Sequence, residues 1–185
     1  MQYLLASGVT AAELPSGCRV IADGETIVFE QPWIFGAPLI ARVEDGTDLS
    51  VLAAKPGVSI MLVEGAAEPD EGQAFAIGAH IMRDPEGFKP YAAGVPDVIS
   101  RYGCNYLARG GKVSVLAGPF APTRVVLMQF PDADALVSFY FSDGYAPLLP
   151  VRLRTTEPRF VAMARTGRLP ESARRVIAAR LPAQI

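Results

Sequence analysis

Apolar residues at the start of the second half of the chain follow two different patterns. A continuous apolar run covers residues 75–82 and is bounded by polar residues, as in a buried strand. After Asp84 and Pro85, apolar residues recur every three or four positions and lie on one helical face. Asp84 is a suitable helix N-cap, Pro85 suits the first turn and Gly103 suits the end. The pattern therefore predicts a strand followed by a long helix.

The rest of the second half predicts three more strands, a second helix and a final strand. Pro90 and Pro96 lie inside the first helical pattern, where Pro96 is expected to cause a kink. Asp132 is a suitable N-cap for the second helix. The predicted strands cover residues 105–108, 112–116, 124–130 and 160–164. The first two are expected to form a hairpin across Arg109 and two glycines.

The first half shows the same order in shortened form, and its first helix is reduced to a turn at residues 10–14. Its predicted strands and second helix cover residues 3–8, 19–29, 38–43, 48–54 and 59–63. Residues 64–72 are acidic and rich in Gly and Ala, as expected for a linker. Residues 170–180 predict an amphipathic helix that packs back on the preceding domain.

The two halves also share a short sequence. Residues 16–24 (SGCRVIADG) return as residues 102–110 (YGCNYLARG), which indicates an internal duplication. Each half has the order β-α-β-β-α-β, called ferredoxin-like. We therefore predict an α+β fold with a degenerate ferredoxin-like repeat at residues 1–66, a second repeat at 73–165 and a C-terminal helical tail at 166–185.

A sheet with one face in water is expected to alternate apolar and polar residues along each strand. Several predicted strands are instead apolar on both faces. Residues 60–63 and 125–128 are the clearest examples. The pattern predicts that the two sheets pack face to face.

Composition narrows the class of protein and its partners. Half of the residues are hydrophobic and 19% are charged, with a formal net charge of −2. This charge provides no field that would attract nucleic acid or acidic lipid. The apolar runs are shorter than a membrane span, and no basic leader follows Met1. We expect a cytoplasmic protein with no nucleic-acid or membrane partner.

No cofactor or metal motif is recognisable. Cys18 and Cys104 occupy equivalent places in the two halves, without a nearby Cys or His at metal-ligand spacing, and are predicted to be buried thiols. Gly110 and Gly111 join two predicted strands and do not open a helix, so they do not form a phosphate loop. The expectation is no cofactor and no metal.

Residues 74–165 carry a set of positions that resembles a known family. They are Asp84, Pro85, Tyr91, Tyr102, Gly103, residues 106–111, Gly118, Val125, Val126, Phe130, Pro131, Tyr140, Ser142, Tyr145 and Arg152. In these positions the chain resembles the domain-of-unknown-function 1330 family of the dimeric α/β-barrel superfamily. It departs from the usual pattern with Cys104 in place of a Gly, Phe139 near a usual Trp, and a Pro-rich stretch at 145–147.

The resemblance implies a barrel built from two ferredoxin-like units, normally one from each of two subunits. Here the first half is expected to replace the partner, so the chain would be a monomeric pseudo-dimer or a homodimer. The superfamily contains cofactor-free monooxygenases, isomerases and haem-using relatives, and the fold alone does not select a chemistry.

The candidate site combines aromatic residues with arginines. His80, Arg109 and Tyr140 are the catalytic candidates, since an imidazole or phenol can move a proton and an arginine can stabilise an enolate. Such a pocket suits an apolar, anionic or enolisable small molecule. The predicted substrate-binding residues are Tyr91, Tyr145 and Arg152. The first half lacks counterparts for most of them, which predicts one ligand per chain.

Two functions are compatible with these residues. The first is a small-molecule enzyme, of cofactor-independent monooxygenase or isomerase type. The alternative is a non-catalytic ligand-binding or assembly module, in which the tyrosines are core residues with satisfied hydroxyls and the arginines cap backbone carbonyls. In that case His80 is a structural hydrogen-bonding group.

Overall fold

The computed structural model describes residues 1–30 and 38–181 of the 185-residue chain. Within these residues the strands are β1 (Gln2–Ser7), β2 (Cys18–Ala22), β3 (Thr26–Glu30), β4 (Leu39–Val43), β5 (Ser59–Glu64), β6 (Ala74–Met82), β7 (Asn105–Arg109), β8 (Val113–Ala117), β9 (Arg124–Phe130) and β10 (Thr156–Ala164). The α-helices are α1 (Ser50–Ala53), α2 (Pro85–Ile99), α3 (Ala133–Tyr140), α4 (Leu149–Thr155) and α5 (Glu171–Arg180). The α+β class is confirmed.

The strands form two five-stranded antiparallel sheets. The first sheet has the order β2-β4-β1-β5-β8, and the second has the order β3-β10-β6-β9-β7. Each sheet therefore takes one edge strand from the other half of the chain. Strand β3 from the first half pairs with β10, and β8 from the second half pairs with β5.

This exchange corrects two sequence-based predictions. The predicted strand 19–29 is two strands, because the chain passes from the first sheet to the second at Asp23, whose amide donates to the carbonyl of Arg165 at 3.0 Å. The predicted hairpin across Gly110 and Gly111 is wrong, because β7 pairs with β9 while β8 joins the first sheet. Gly110 has a φ of +72°, which favours glycine at this connection.

The two sheets pack face to face, as the two-sided apolar strands predicted. Tyr3 and Met61 of the first sheet lie in one buried cluster with Phe75, Leu127 and Val161 of the second. The outer face of the second sheet is covered by α2, α3 and α5 in a separate buried cluster. Burial on both faces explains why these strands do not alternate between apolar and polar residues.

Helices α2 and α3 begin as the sequence predicts. The Asp84 carboxylate accepts a hydrogen bond from the Gly87 amide at 2.9 Å, and Asp132 accepts one from the Ala135 amide at 2.7 Å. Gly103 has a φ of +66° at the end of the helical segment after α2.

Helix α4 was not predicted, and α5 was. Helix α4 has Pro150 in its first turn and Arg152 buried inside the fold. Helix α5 buries Ala173 and Ile177, and the Arg174 guanidinium pairs with Glu25. Residues 182–185 of the predicted tail lie outside the described residues.

Both cysteines are free and half-buried. Burial raises the pKa of the Cys104 thiol to about 12, so this thiol is protonated at neutral pH.

Candidate functional site

A pocket lies on the outer face of the second sheet, beneath α2. Residues at alternate positions of a strand point to the same face, and Gly78 and His80 of β6 therefore both reach it. The walls are mostly aromatic and aliphatic, and they also contain one imidazole, of His80, and two guanidinium groups, of Arg109 and Arg124. The lining residues are Gly78, His80, Phe88, Tyr91, Val95, Tyr106, Arg109, Arg124, Val126, Met128, Phe139, Tyr145 and Phe160.

The pocket is narrow. The space between its walls amounts to about 470 Å³ when the open mouth is included, but the centre of a water molecule can occupy only about 30 Å³ of it. That is room for about two waters. Arg109 is exposed, so its side chain is the lining group that can move with the least loss of packing.

His80 is buried, with 3% of its surface exposed. Its Nδ1 atom makes no hydrogen bond of ordinary geometry. Burial, then the positive charges of Arg152 and Arg124, lower the pKa of His80 to about 3, while a backbone interaction with Ala79 acts in the opposite direction. The imidazole is therefore neutral at physiological pH.

Two arginines line the pocket, and neither forms an ion pair with a carboxylate in residues 1–30 and 38–181. Arg124 has a buried Nε without a hydrogen-bond partner, and its guanidinium carbon lies 5.4 Å from the centre of the Phe88 ring. Arg109 donates to the carbonyl of Ala92 at 3.3 Å and lies 5.0 Å from the centre of the Tyr106 ring. Burial, then the nearby Arg109 charge, lower the pKa of Arg124.

A buried polar network lies behind the pocket. Arg152 is fully buried and forms a bidentate ion pair with Glu30, with Nη1 2.7 Å from Oε2 and Nη2 in contact with Oε1. The Tyr140 hydroxyl also donates to Glu30. Arg152 Nε donates to the Tyr145 hydroxyl at 3.1 Å, and that hydroxyl lies 3.3 Å from the hydroxyl of Tyr91. The network thus joins strand β3 to the pocket wall.

The comparisons with known proteins concern this same region. The family model DUF1330, described as a domain of unknown function, matches residues 73–166, just over half of the chain. The chain belongs to the DUF1330 family. Every residue that lines the pocket falls within the DUF1330 match, whereas Glu30 falls outside it.

Other comparisons add little to the DUF1330 assignment. No curated protein matches the chain. The chain is similar to a solved structure of a major regulator of staphylococcal pathogenesis, with 14% sequence identity and a TM-score of 0.43. The similarity covers 86% of this chain and 97% of the other. At that score the likeness does not establish a shared fold or function.

The predicted site residues divide into two groups. His80, Tyr91, Arg109 and Tyr145 line the pocket together. Tyr140 and Arg152 do not line it, because their polar groups are bound to Glu30 in the network behind. The hydroxyl of Tyr140 and the guanidinium of Arg152 are therefore already engaged in hydrogen bonds within the protein.

Sequence reasoning missed two residues of this DUF1330 site. Arg124 is the partner of His80 in the β6–β9 register, so a correct strand alignment would have placed it beside the imidazole. Glu30 reaches the site only because β3 pairs with β10. No local signal in the sequence marks that pairing.

The arrangement combines a neutral imidazole, two arginines and tyrosine hydroxyls with an apolar wall. Arginines attract a carboxylate or enolate oxygen, and an imidazole can accept a proton.

In residues 1–30 and 38–181, no group of three His, Cys, Asp or Glu side chains is placed to hold a metal ion. None of the described helices is long and apolar enough to cross a membrane.

Proposed function

We propose that this DUF1330 protein binds a small apolar anion in the pocket beside His80 and acts on it as an enzyme of cofactor-independent isomerase or monooxygenase type. The observation that carries the proposal is a pair of arginines, Arg109 and Arg124, at an apolar pocket without a carboxylate partner in the described chain. Arg124 is half-buried and Arg109 is exposed. A half-buried cation is usually paired with an anion, so Arg124, with Arg109 beside it at the same cavity, favours an anionic ligand.

The apolar wall limits the rest of the ligand. Phe88, Val95 and Met128 offer no charged partner to a polar body. A ligand with a carboxylate or enolate group joined to a short apolar chain or ring would contact the arginines with its oxygens and the apolar wall with the rest of the molecule. Because the centre of a water molecule can occupy only about 30 Å³ of the pocket, a ring enters only if a wall side chain moves, and the exposed Arg109 is the one best able to do so.

His80 is the proposed proton acceptor. In the tautomer with its proton on Nδ1, the acceptor is Nε2, which lies 3.0 Å from where a Cβ on Gly78 would stand. In an isomerisation, Nε2 takes a proton from the carbon beside a carbonyl, and the electron pair moves to the carbonyl oxygen as an enolate stabilised by the arginines. The imidazolium then returns the proton to a different carbon, which completes the shift without a redox partner.

The anion itself makes His80 a better base. The low pKa of about 3 reflects burial beside two cations, and a bound carboxylate offsets their charge. Binding of the anion therefore raises the basicity of the imidazole at the moment when it is needed.

A non-catalytic ligand-binding or assembly module is the second candidate. The narrowness of the pocket and the full occupation of Tyr140 and Arg152 by Glu30 favour it. A ligand-binding module would bind the anion without converting it. An assembly module would bind no anion at the arginines and would lose only stability when they are replaced.

We also propose that the two halves are ferredoxin-like copies forming a pseudo-dimeric barrel in one chain, so that the cytoplasmic protein is a monomer. The strand orders support it. If strands β1 to β5 are taken as equivalent to strands β6 to β10 in order, the two sheets have the same strand order. In each sheet one edge strand is the third strand of the opposite half, β8 in the first sheet and β3 in the second. A true dimer exchanges elements in the same symmetric way.

Calorimetric titration with benzoate, and with the neutral benzamide as comparison, tests the proposed function. Benzoate is expected to bind with one site per chain and benzamide at least about tenfold more weakly, as for a lost charge-assisted hydrogen bond. Arg124→Met should weaken benzoate by about 10- to 100-fold. The control Arg175→Met removes an exposed arginine on α5, paired with Glu171, and should change nothing. Equal binding of both compounds, or no effect of Arg124→Met, would contradict the proposal.

A further inference from the structure

The hydrogen bonds behind the pocket have a fixed direction. A guanidinium has only donors, so Arg152 Nε must donate to the Tyr145 hydroxyl oxygen, 3.1 Å away. Arg152 is itself held by two bonds to the Glu30 carboxylate, which only accepts. The hydrogen bonds from Arg152 to Glu30 and to Tyr145 can therefore run in only one direction, with Arg152 as the donor.

The hydroxyl proton of Tyr145 then needs an acceptor. Tyr145 has no exposed surface, so water does not reach it, and a buried hydroxyl without an acceptor costs roughly 1–3 kcal/mol. Among the described residues, the acceptor at hydrogen-bonding distance is the Tyr91 hydroxyl oxygen, 3.3 Å away. Tyr145 therefore donates to Tyr91.

Tyr91 is the last residue in this series of hydrogen bonds, and it lies at the pocket. Its oxygen accepts from Tyr145, which leaves its own proton free, and its side chain lines the cavity. We infer that Glu30 and Arg152 are positioning residues that, through Tyr145, aim the hydroxyl of Tyr91 into the pocket as a hydrogen-bond donor.

The inference concerns the pocket of the proposed function, and what it says about a ligand rests on that function. A donor hydroxyl selects a ligand that presents an oxygen acceptor near Tyr91, such as a carboxylate or enolate. It also gives the first half a share in the site, because Glu30 of β3 holds Arg152, whose guanidinium sets the direction of the hydrogen bonds, while the atoms of Glu30 stay out of the pocket. The Tyr140 hydroxyl, which donates to the same carboxylate, helps to hold Glu30 in place.

The direction can be tested without a ligand by proton NMR of hydroxyl groups. The buried Tyr145 hydroxyl proton should exchange slowly and show a cross-relaxation signal to the Tyr91 ring. The signal should vanish in Tyr145→Phe, shift in Tyr91→Phe and remain in the control Tyr102→Phe, whose ring packs on Phe139 and whose hydroxyl makes none of these hydrogen bonds. A slowly exchanging proton that belongs to Tyr91 instead would overturn the inference.

A double-mutant cycle with benzoate as the probe tests the positioning role. Tyr91→Phe is expected to weaken benzoate about tenfold and Tyr145→Phe about threefold. In the Tyr91→Phe background, Tyr145→Phe should have no further effect, because it acts only through Tyr91. A persisting threefold loss in that background would mean a merely structural role and would overturn the inference. If benzoate does not bind the wild-type protein, the proposed function fails, while the hydroxyl measurement still decides the direction.

Discussion

His80 and Arg124 face each other as register partners on the adjacent strands β6 and β9. Side chains of directly opposed residues point to the same face of a sheet, so the imidazole and the guanidinium share the pocket. A cation beside a buried imidazole disfavours a second positive charge. Burial is the main reason that the pKa of His80 is low, and the charges of Arg152 and Arg124 lower it further, so the imidazole is neutral before any ligand enters.

The protein is expected to lose stability on mild acidification because of His80. Its pKa is about 3 in the folded state and about 6.5 when unfolded, so the unfolded state binds more protons between these values and stability falls as the pH is lowered from 6.5. From pH 7 to pH 5 the contribution is about 2 kcal/mol. Urea unfolding at both pH values should show this extra loss in the wild type relative to His80→Gln. An identical pH dependence in both proteins would contradict the assignment.

Glu30→Gln is expected to destabilise the fold strongly. It leaves the fully buried guanidinium of Arg152 without its counter-charge, and loss of one partner of a buried pair costs about 3–5 kcal/mol. Adding Arg152→Met should restore part of the lost free energy, since no unpaired charge then remains. Urea denaturation of the two single variants and the double variant measures the coupling. Additive losses would show that the pair is not coupled.

Gly78→Ala is expected to block the pocket. A Cβ there would lie 3.0 Å from His80 Nε2, so it takes the space over the imidazole. Benzoate affinity should fall about tenfold or more, and stability should fall by about 1–3 kcal/mol, as for an overpacked core site. Gly94→Ala is the matched control on α2, where the new Cβ meets Leu148 outside the pocket lining. Unchanged binding by Gly78→Ala would place the ligand elsewhere.

A fragment covering residues 73–181 tests the exchange of edge strands. Without β3 it exposes the edge of β10 and leaves Arg152 without Glu30. The fragment is expected to dimerise, each copy supplying its β8 to the β10 edge of the other, as β8 does to β5 in the whole chain. Light scattering after size-exclusion chromatography reads the mass. A stable, cooperatively folding monomer would contradict this account.

Local signals predicted most of the helices and strands, whereas pairings between distant parts of the chain were not predictable from them. Asp84 and Asp132 mark the helix starts because capping involves only the next three residues. The hairpin prediction at Gly110 failed because strand partners were chosen by sequence proximity, whereas β8 pairs with a strand of the other half. Glu30 and Arg152 lie 122 positions apart, and no residue near either one in the sequence marks the other as its partner. Their pairing becomes visible only after β3 is placed in the second sheet.

Native mass spectrometry of the purified protein, first as isolated and then with benzoate added, tests the central claim most directly. We predict a monomer that takes up one anion, with the adduct lost in Arg124→Met and kept in Arg175→Met. A dimer that retains no small molecule and takes up no benzoate would contradict both the single-chain barrel and the anion site beside His80.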